Sequence, residues 1–119
     1  EKLGIENLLV IGSVPPGEVE DSIVEKLPIR RVPSMSRAIS YSEDRVARKE
    51  IEKIIEEFKP DLIHTHTFKA GALVRSMKRS VPVVHTFHGH LLFGYFSGFK
   101  LFLNIFAEKI LMIQMMLKY

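Results

Sequence analysis

Short apolar runs alternate along this chain with segments of helical periodicity, and that alternation constrains the fold more than any other feature. Leu8-Leu9-Val10-Ile11-Gly12 reads as a strand, because four apolar residues in a row bounded by glycine and proline suit a strand buried on both faces. Ser13 to Gly17 holds two prolines and a glycine and must be a loop. Glu18 to Leu27 predicts a short helix with Val19, Ile23, Val24 and Leu27 on one side, followed by a short strand over Ile29 to Pro33 and a polar loop over Ser34 to Ser42. Glu43 to Phe58 is the clearest helix: Val46, Ala47, Ile51, Ile54, Ile55 and Phe58 form one apolar stripe. Ser40 and Ser42 both suit its N-cap, and Lys59-Pro60 stops it.

The second half repeats the pattern. Asp61 to His64 predicts a strand, Lys69 to Arg79 a helix with Ala72, Leu73 and Met77 on its apolar side, and Val81 to Thr86 another strand. A glycine-rich loop follows over Gly89 to Gly98, then a long apolar helix from Phe99 to about Leu117. Strands alternating with helices favour an α/β fold, a Rossmann-like parallel sheet with flanking helices and right-handed crossovers. A length of 119 residues supports one such domain and little more.

Composition narrows the function classes. With no cysteine there is neither a disulfide framework nor a zinc ribbon, which suits a cytoplasmic protein. The net charge of +3 comes from pairs such as Arg30-Arg31 and Lys78-Arg79 and from a mixed stretch over Glu43 to Lys59. These read as solvated surface and not as a nucleic-acid interface. In the terminal helix Lys100, Asn104 and Glu108 make one narrow polar stripe, and no uncharged run reaches the length a bilayer requires. Burial is the expectation there. The functional alternative is a peripheral membrane contact through residues 96–110, with Phe96, Phe99, Phe102 and Phe106 beside Lys100 and Lys109 at the inner face of the membrane.

All five histidines lie between positions 64 and 90, at or just beyond the carboxyl ends of two predicted parallel strands, where open sheets bind their ligands. Three chemistries could use them. A metal-dependent hydrolase would draw on His64, His66, His88 and His90, although no carboxylate stands between Asp61 and Glu108 and Lys69 is close. Imidazoles could instead hydrogen-bond or exchange protons with sugar hydroxyls. Finally, Lys69-Ala70-Gly71 opens a helix directly after a strand, which favours an anion, although neither a phosphate-cradling Walker loop nor a dinucleotide fingerprint is present. Taken singly, His64 is expected to be a buried, hydrogen-bonded strand residue, Thr86 and Phe87 to be structural, and Arg75 to be a surface charge. His88, followed by glycine where strand becomes loop, is the residue expected to act.

The ordered segments Lys59-Pro60-Asp61-Leu62-Ile63-His64-Thr65-His66-Thr67, Lys69-Ala70-Gly71 and Val81-Pro82-Val83-Val84-His85-Thr86-Phe87-His88-Gly89-His90 resemble the N-terminal half of the retaining GT-B glycosyltransferases of family four. The resemblance extends through Gly94-Tyr95-Phe96-Ser97 and to the Gly12 to Gly17 loop. It implies an incomplete half of a two-domain architecture: residues 1–119 as a partial N-terminal domain, with the first strand and the donor domain absent. It implies transfer from a nucleotide-diphosphate sugar, held mainly by the missing domain, to a sugar or lipid-linked acceptor in the synthesis of polysaccharide or glycolipid, without metal or other cofactor. By position, His88 matches the histidine near the transferred sugar. His66 and Thr67 match acceptor-facing strand-end positions, Lys69 and Gly71 the turn behind them, and Gly89 and His90 the adjoining loop. From Ile110 to Tyr119 the methionine-rich sequence departs from the family pattern. Such a piece alone is expected to be inactive and to expose apolar surface meant for its missing parts.

Overall fold

The computed structural model describes residues 4–20, 22, 26–36, 38–78, 80–86, 98, 102, 103, 106, 109 and 110. They belong to two compact units, Glu1–Pro60 and Asp61–Tyr119.

In the first unit, β1 (Leu9–Ile11) and β2 (Ile29–Arg31) pair in parallel, Leu9 opposite Ile29 and Ile11 opposite Arg31. Leu9 N–H donates to the Pro28 carbonyl at 3.0 Å, and Val32 N–H to that of Ile11 at 2.9 Å, so the ladder is closed at both ends. Contrary to expectation, β1 is not buried on both faces: Leu9 is exposed and Val10 and Ile11 are half-buried. Gly12 then passes so close to Met35 that a β-carbon there would strike the Met35 carbonyl oxygen. Gly17 takes a φ of 89° in a turn closed by Glu18 N–H donating to the Pro15 carbonyl at 3.1 Å.

The helix expected from Glu18 does not begin there. Glu18, Val19 and Glu20 are irregular, and Val19 is 95% exposed. Glu20 is instead drawn to β2, where its carboxylate takes both terminal guanidinium nitrogens of Arg31, at 2.9 and 2.5 Å. Positions 23–25 lie outside the described residues.

Helix α1 (Tyr41–Phe58) starts two residues before the expected Glu43, because Ser40 and not Ser42 is the cap. Ser40 Oγ accepts from Glu43 N–H at 3.5 Å, and Asp44 Oδ2 reaches back to Ser40 N–H at 3.3 Å. Ala47 and Ile51, from the expected stripe, are buried, as is Val32 just after β2. Arg48–Glu52 and Lys53–Glu57 link successive turns on the outer face. The helix ends at Lys59, as the sequence implies, but through a left-handed residue (φ 51°, ψ 58°) whose N–H donates to the Ile55 carbonyl at 2.9 Å.

The second unit is a strand–helix–strand motif of β3 (Ile63–His66), α2 (Phe68–Ser76) and β4 (Val83–Thr86). The strands pair in parallel, Ile63 opposite Val83 through His66 opposite Thr86. Pro82 sets this register. Having no N–H of its own, it cannot continue a ladder, but its carbonyl accepts from Ile63 N–H at 3.0 Å. Hence β4 begins at Val83 and not Val81, while β3 shifts forward to include Thr65 and His66. Helix α2 stops before the expected Arg79. Met77, the C-cap residue, is extended, and Ser76 Oγ donates to the Leu73 carbonyl at 2.8 Å.

Strand parity separates two faces of the β3–β4 pair. Ile63, Thr65, Val83 and His85 share one; Thr65 and Val83 are buried there, and His85 lies against α2. His64, His66, Val84 and Thr86 share the other, where all but the half-buried Thr86 are exposed. From α2, Val74 and Arg75 are buried, with Met77 just beyond. Arg75, expected as a surface charge, is only 2% exposed; its aliphatic stem folds back along the helix and Nε donates to the Gly71 carbonyl at 3.0 Å. Among the described residues the strands form two parallel pairs, β1–β2 and β3–β4, and not one continuous sheet. Residues 102, 103, 106, 109 and 110 of the terminal segment are helical and exposed, not buried as expected, whereas Phe96, Phe99, Lys100, Asn104 and Glu108 lie outside the described residues.

Candidate functional site

A single residue separates β3 from α2, so the chain must turn sharply at Thr67. It does so with φ 69° and ψ 154°, a region that only glycine ordinarily occupies. The strand end, the strained junction and the first turn of α2 are thereby fixed within a few residues of one another. His66 and Thr67 are exposed there, and Lys69 is half-buried in the first helical turn.

On the exposed face the rings of His64 and His66 lie 4.2 Å apart between centroids, inclined at 36°. His64 Nε2 is 2.7 Å from Thr86 Oγ1, a hydrogen bond across the two strands. His64 is therefore hydrogen-bonded, as expected, but exposed instead of buried. Thr86 has the structural role expected of it, since it orients His64. The two imidazoles and one hydroxyl form a polar ledge at the carboxyl end of a parallel pair, able to donate and accept hydrogen bonds. That is the chemistry of hydroxyl-rich ligands.

His85 does not join this ledge. Its register opposite Thr65 puts it on the other face, with Nδ1 2.8 Å from Thr65 Oγ1. The same hydroxyl lies 3.4 Å from the Val84 carbonyl. Helix α2 crosses this face at Gly71, where a β-carbon would come within 2.6 Å of His85 Nδ1. Gly71 is thus buried inside the helix, not in the turn before it, and its lack of a side chain admits the His85 ring. Of the histidines placed together by sequence, the structure brings together His64 and His66 and sends His85 elsewhere. Phe87, His88, Gly89 and His90 lie outside the described residues.

Sequence reasoning missed the packing role of Thr65 and, although it named Thr67 as acceptor-facing, the backbone strain at Thr67. Parity could have found the first, since a residue between His64 and His66 must face the opposite side. Nothing in the sequence signals a left-handed threonine. No group of three or more metal-ligating side chains occurs among the described residues. An open cleft in the first unit, lined by Asn7, Leu8, Pro28, Ile54 and Phe58, lies at the amino ends of β1 and β2, away from the edge where parallel sheets bind ligands.

The family model described as Glycosyltransferase Family 4 matches residues 1–115, which carries the match past Ile110, where the sequence had been expected to leave the family pattern. A UDP-Gal:alpha-D-GlcNAc-diphosphoundecaprenol alpha-1,3-galactosyltransferase of Escherichia coli is 36% identical over 76 residues, which are 61% of this chain and 20% of that protein. The matched region therefore spans about one fifth of the relative's length. No solved structure matches the chain. With a family match over nearly its whole length, this α/β chain belongs to glycosyltransferase family 4.

Proposed function

We propose that this segment is the acceptor-side half of a retaining GT-B glycosyltransferase, and that the carboxyl ends of β3 and β4 form one wall of its sugar cleft. The observation that carries the reading is the ledge of His64, His66 and Thr86 beside the Thr67 turn. A sugar unit passes from a nucleotide-diphosphate donor, bound mainly by a second domain, to an acceptor hydroxyl. His66 and Thr67 contact the acceptor. His88, two residues past β4 in sequence, acts at the transferred sugar, and Gly89 and His90 contribute to substrate binding.

Lys69 and the amides of the first turn of α2 suit a negative group. The Escherichia coli relative acts on an acceptor whose sugar is joined through a diphosphate to a lipid. A lipid-linked diphosphate acceptor, used in polysaccharide or glycolipid synthesis at the cytoplasmic face of a membrane, fits both the cation and the histidine ledge. Gly71 serves the site indirectly, by letting His85 seat α2. The metal-dependent hydrolase built on His64, His66, His88 and His90 gains no support from the family match.

The test uses the full-length enzyme containing this segment, assayed for transfer from a nucleotide sugar to a lipid-linked acceptor. His88→Ala should lower turnover by about a hundredfold or more, the range for loss of a positioned acid–base group. His66→Ala should chiefly raise the acceptor KM. Unchanged turnover in His88→Ala removes the assignment of His88. Robust transfer by residues 1–119 alone overturns the division of labour between two domains.

A further inference from the structure

His64 is the histidine of the ledge to which no substrate contact is assigned, yet the fold ties it to both of its neighbours there. It stands directly opposite Val84, whose side chain offers no hydrogen-bonding atom. Its imidazole reaches instead along the same face to Thr86, with Nε2 2.7 Å from Oγ1. Thr86 is the register partner of His66. The three side chains thus close a triangle. His66 stands opposite Thr86, Thr86 holds His64, and the ring of His64 lies against that of His66 with centroids 4.2 Å apart.

The backbone under this triangle is fixed from the other face. Thr65 and His85 are the register pair between His64–Val84 and His66–Thr86, and their Oγ1 and Nδ1 atoms lie 2.8 Å apart. Gly71 of α2 packs against the same His85 ring. With both strands held there, the orientation of the exposed imidazoles depends on contacts within the ledge. An exposed ring on a strand otherwise distributes over about three staggered wells at χ1. The bond to Thr86 selects one of them for His64. Because Thr86 is half-buried, water competes less for that hydroxyl than at an open position. The tethered ring of His64 then denies His66 the space it occupies.

We propose that His64 is a positioning residue for acceptor binding: tethered by Thr86, it holds the His66 imidazole in the orientation that meets the acceptor. This role rests on the reading of His66 as an acceptor contact. His64 acts through His66 and touches no substrate itself. It raises the fraction of enzyme already competent to bind, and apparent affinity scales with that fraction. Loss of the tether should therefore weaken acceptor binding about threefold and leave the donor and the transfer step alone.

Steady-state transfer by the full-length enzyme containing this segment, with donor and acceptor varied separately, decides the matter. Thr86→Val keeps the branched shape and removes the hydroxyl. It should raise the acceptor KM about threefold, with kcat and the donor KM within about twofold of the parent. His64→Ala should do the same, and His66→Ala should raise the acceptor KM further. Thr86→Ser, which restores the hydroxyl, should bring the acceptor KM back toward the parent value. In Thr86→Val combined with His64→Ala the rise should be no larger than in His64→Ala alone, because the hydroxyl acts only through the imidazole. Multiplied effects in that double variant make Thr86 and His64 independent acceptor contacts and overturn the positioning role. So does an acceptor KM unchanged in Thr86→Val while His66→Ala raises it. A fall in kcat and in melting temperature alongside the KM change assigns the pair to fold stability and likewise overturns it. A parent-like acceptor KM in His66→Ala removes the acceptor reading of His66 itself, and the role of His64 falls with it.

Discussion

Gly71 and His85 fit together as a socket and its plug: the imidazole of His85 occupies the space that any larger residue at position 71 would need. The ring cannot easily move aside, because Thr65 Oγ1 holds its Nδ1 at 2.8 Å. Two effects oppose each other in Gly71→Ala. Alanine is about 1 kcal/mol more favourable than glycine inside a helix. Forcing a methyl into an occupied site costs about 1–3 kcal/mol. With the ring tethered, the clash should win, and urea unfolding should show a net loss of about 1 kcal/mol. His85→Ala combined with Gly71→Ala should recover the helix gain relative to His85→Ala alone. Stabilisation by Gly71→Ala in the parent would mean that His85 swings freely.

Thr67 poses the reverse case. Its backbone angles cost a β-branched residue about 1–3 kcal/mol, and its side chain makes no capping hydrogen bond with α2. Glycine relieves that strain but loses about 0.5–1 kcal/mol to chain entropy. Thr67→Gly should therefore raise stability by about 1 kcal/mol, while Thr67→Ala, which keeps a β-carbon, should gain little. Thermal unfolding of the two variants separates strain from side-chain effects. In the full-length enzyme the same glycine should raise the acceptor KM if Thr67 contacts the acceptor as proposed.

The strand–helix–strand order around the histidines was legible because it rests on local patterns: apolar runs, a helical stripe and proline stops. The parallel pairing of Ile63–His66 with Val83–Thr86 follows from that order. What was not legible depends on neighbours. His64 and His85 both end apolar runs, yet one is exposed and the other lies under a helix, because Pro82 sets a register that gives them opposite parity. Arg75 looked like a surface charge because its type usually is one; in the fold it is buried, with Nε donating back to the Gly71 carbonyl. Glu18–Glu20 failed as a helix start because an ion pair eleven residues away holds Glu20.

Lys59 shows how a correct stop signal can hide its mechanism. Proline at position 60 ends α1, but the structure closes the helix with a left-handed lysine. An L-residue there costs about 1–2 kcal/mol that glycine does not incur. Lys59→Gly should raise the unfolding free energy by about 0.5–1 kcal/mol after the entropy loss. Lys59→Val, β-branched at a positive φ, should lower it. Equal stability of the two variants would contradict the left-handed cap.

The Glu20–Arg31 pair makes a prediction in pH. Hydrogen bonds from Arg31 hold the Glu20 carboxyl below its ordinary value of 4.5, attraction to the guanidinium charge adds to this, and partial desolvation opposes it. The same hydrogen bonds raise Arg31, whose titration lies far above working pH. A carboxyl with a lowered folded-state value binds its proton more readily when unfolded. Its stabilising contribution is therefore complete above the unfolded value and disappears as pH falls through the folded one. Glu20→Gln should be slightly less stable than the parent near neutral pH. The difference should shrink on acidification below 4.5 and nearly vanish once Glu20 is protonated in both states. The effect should also weaken in high salt, since the pair is open to solvent. Thermal melts of parent and variant between neutral and strongly acidic pH test this, and a difference that grows on acidification would show that Arg31 does not hold Glu20 ionised.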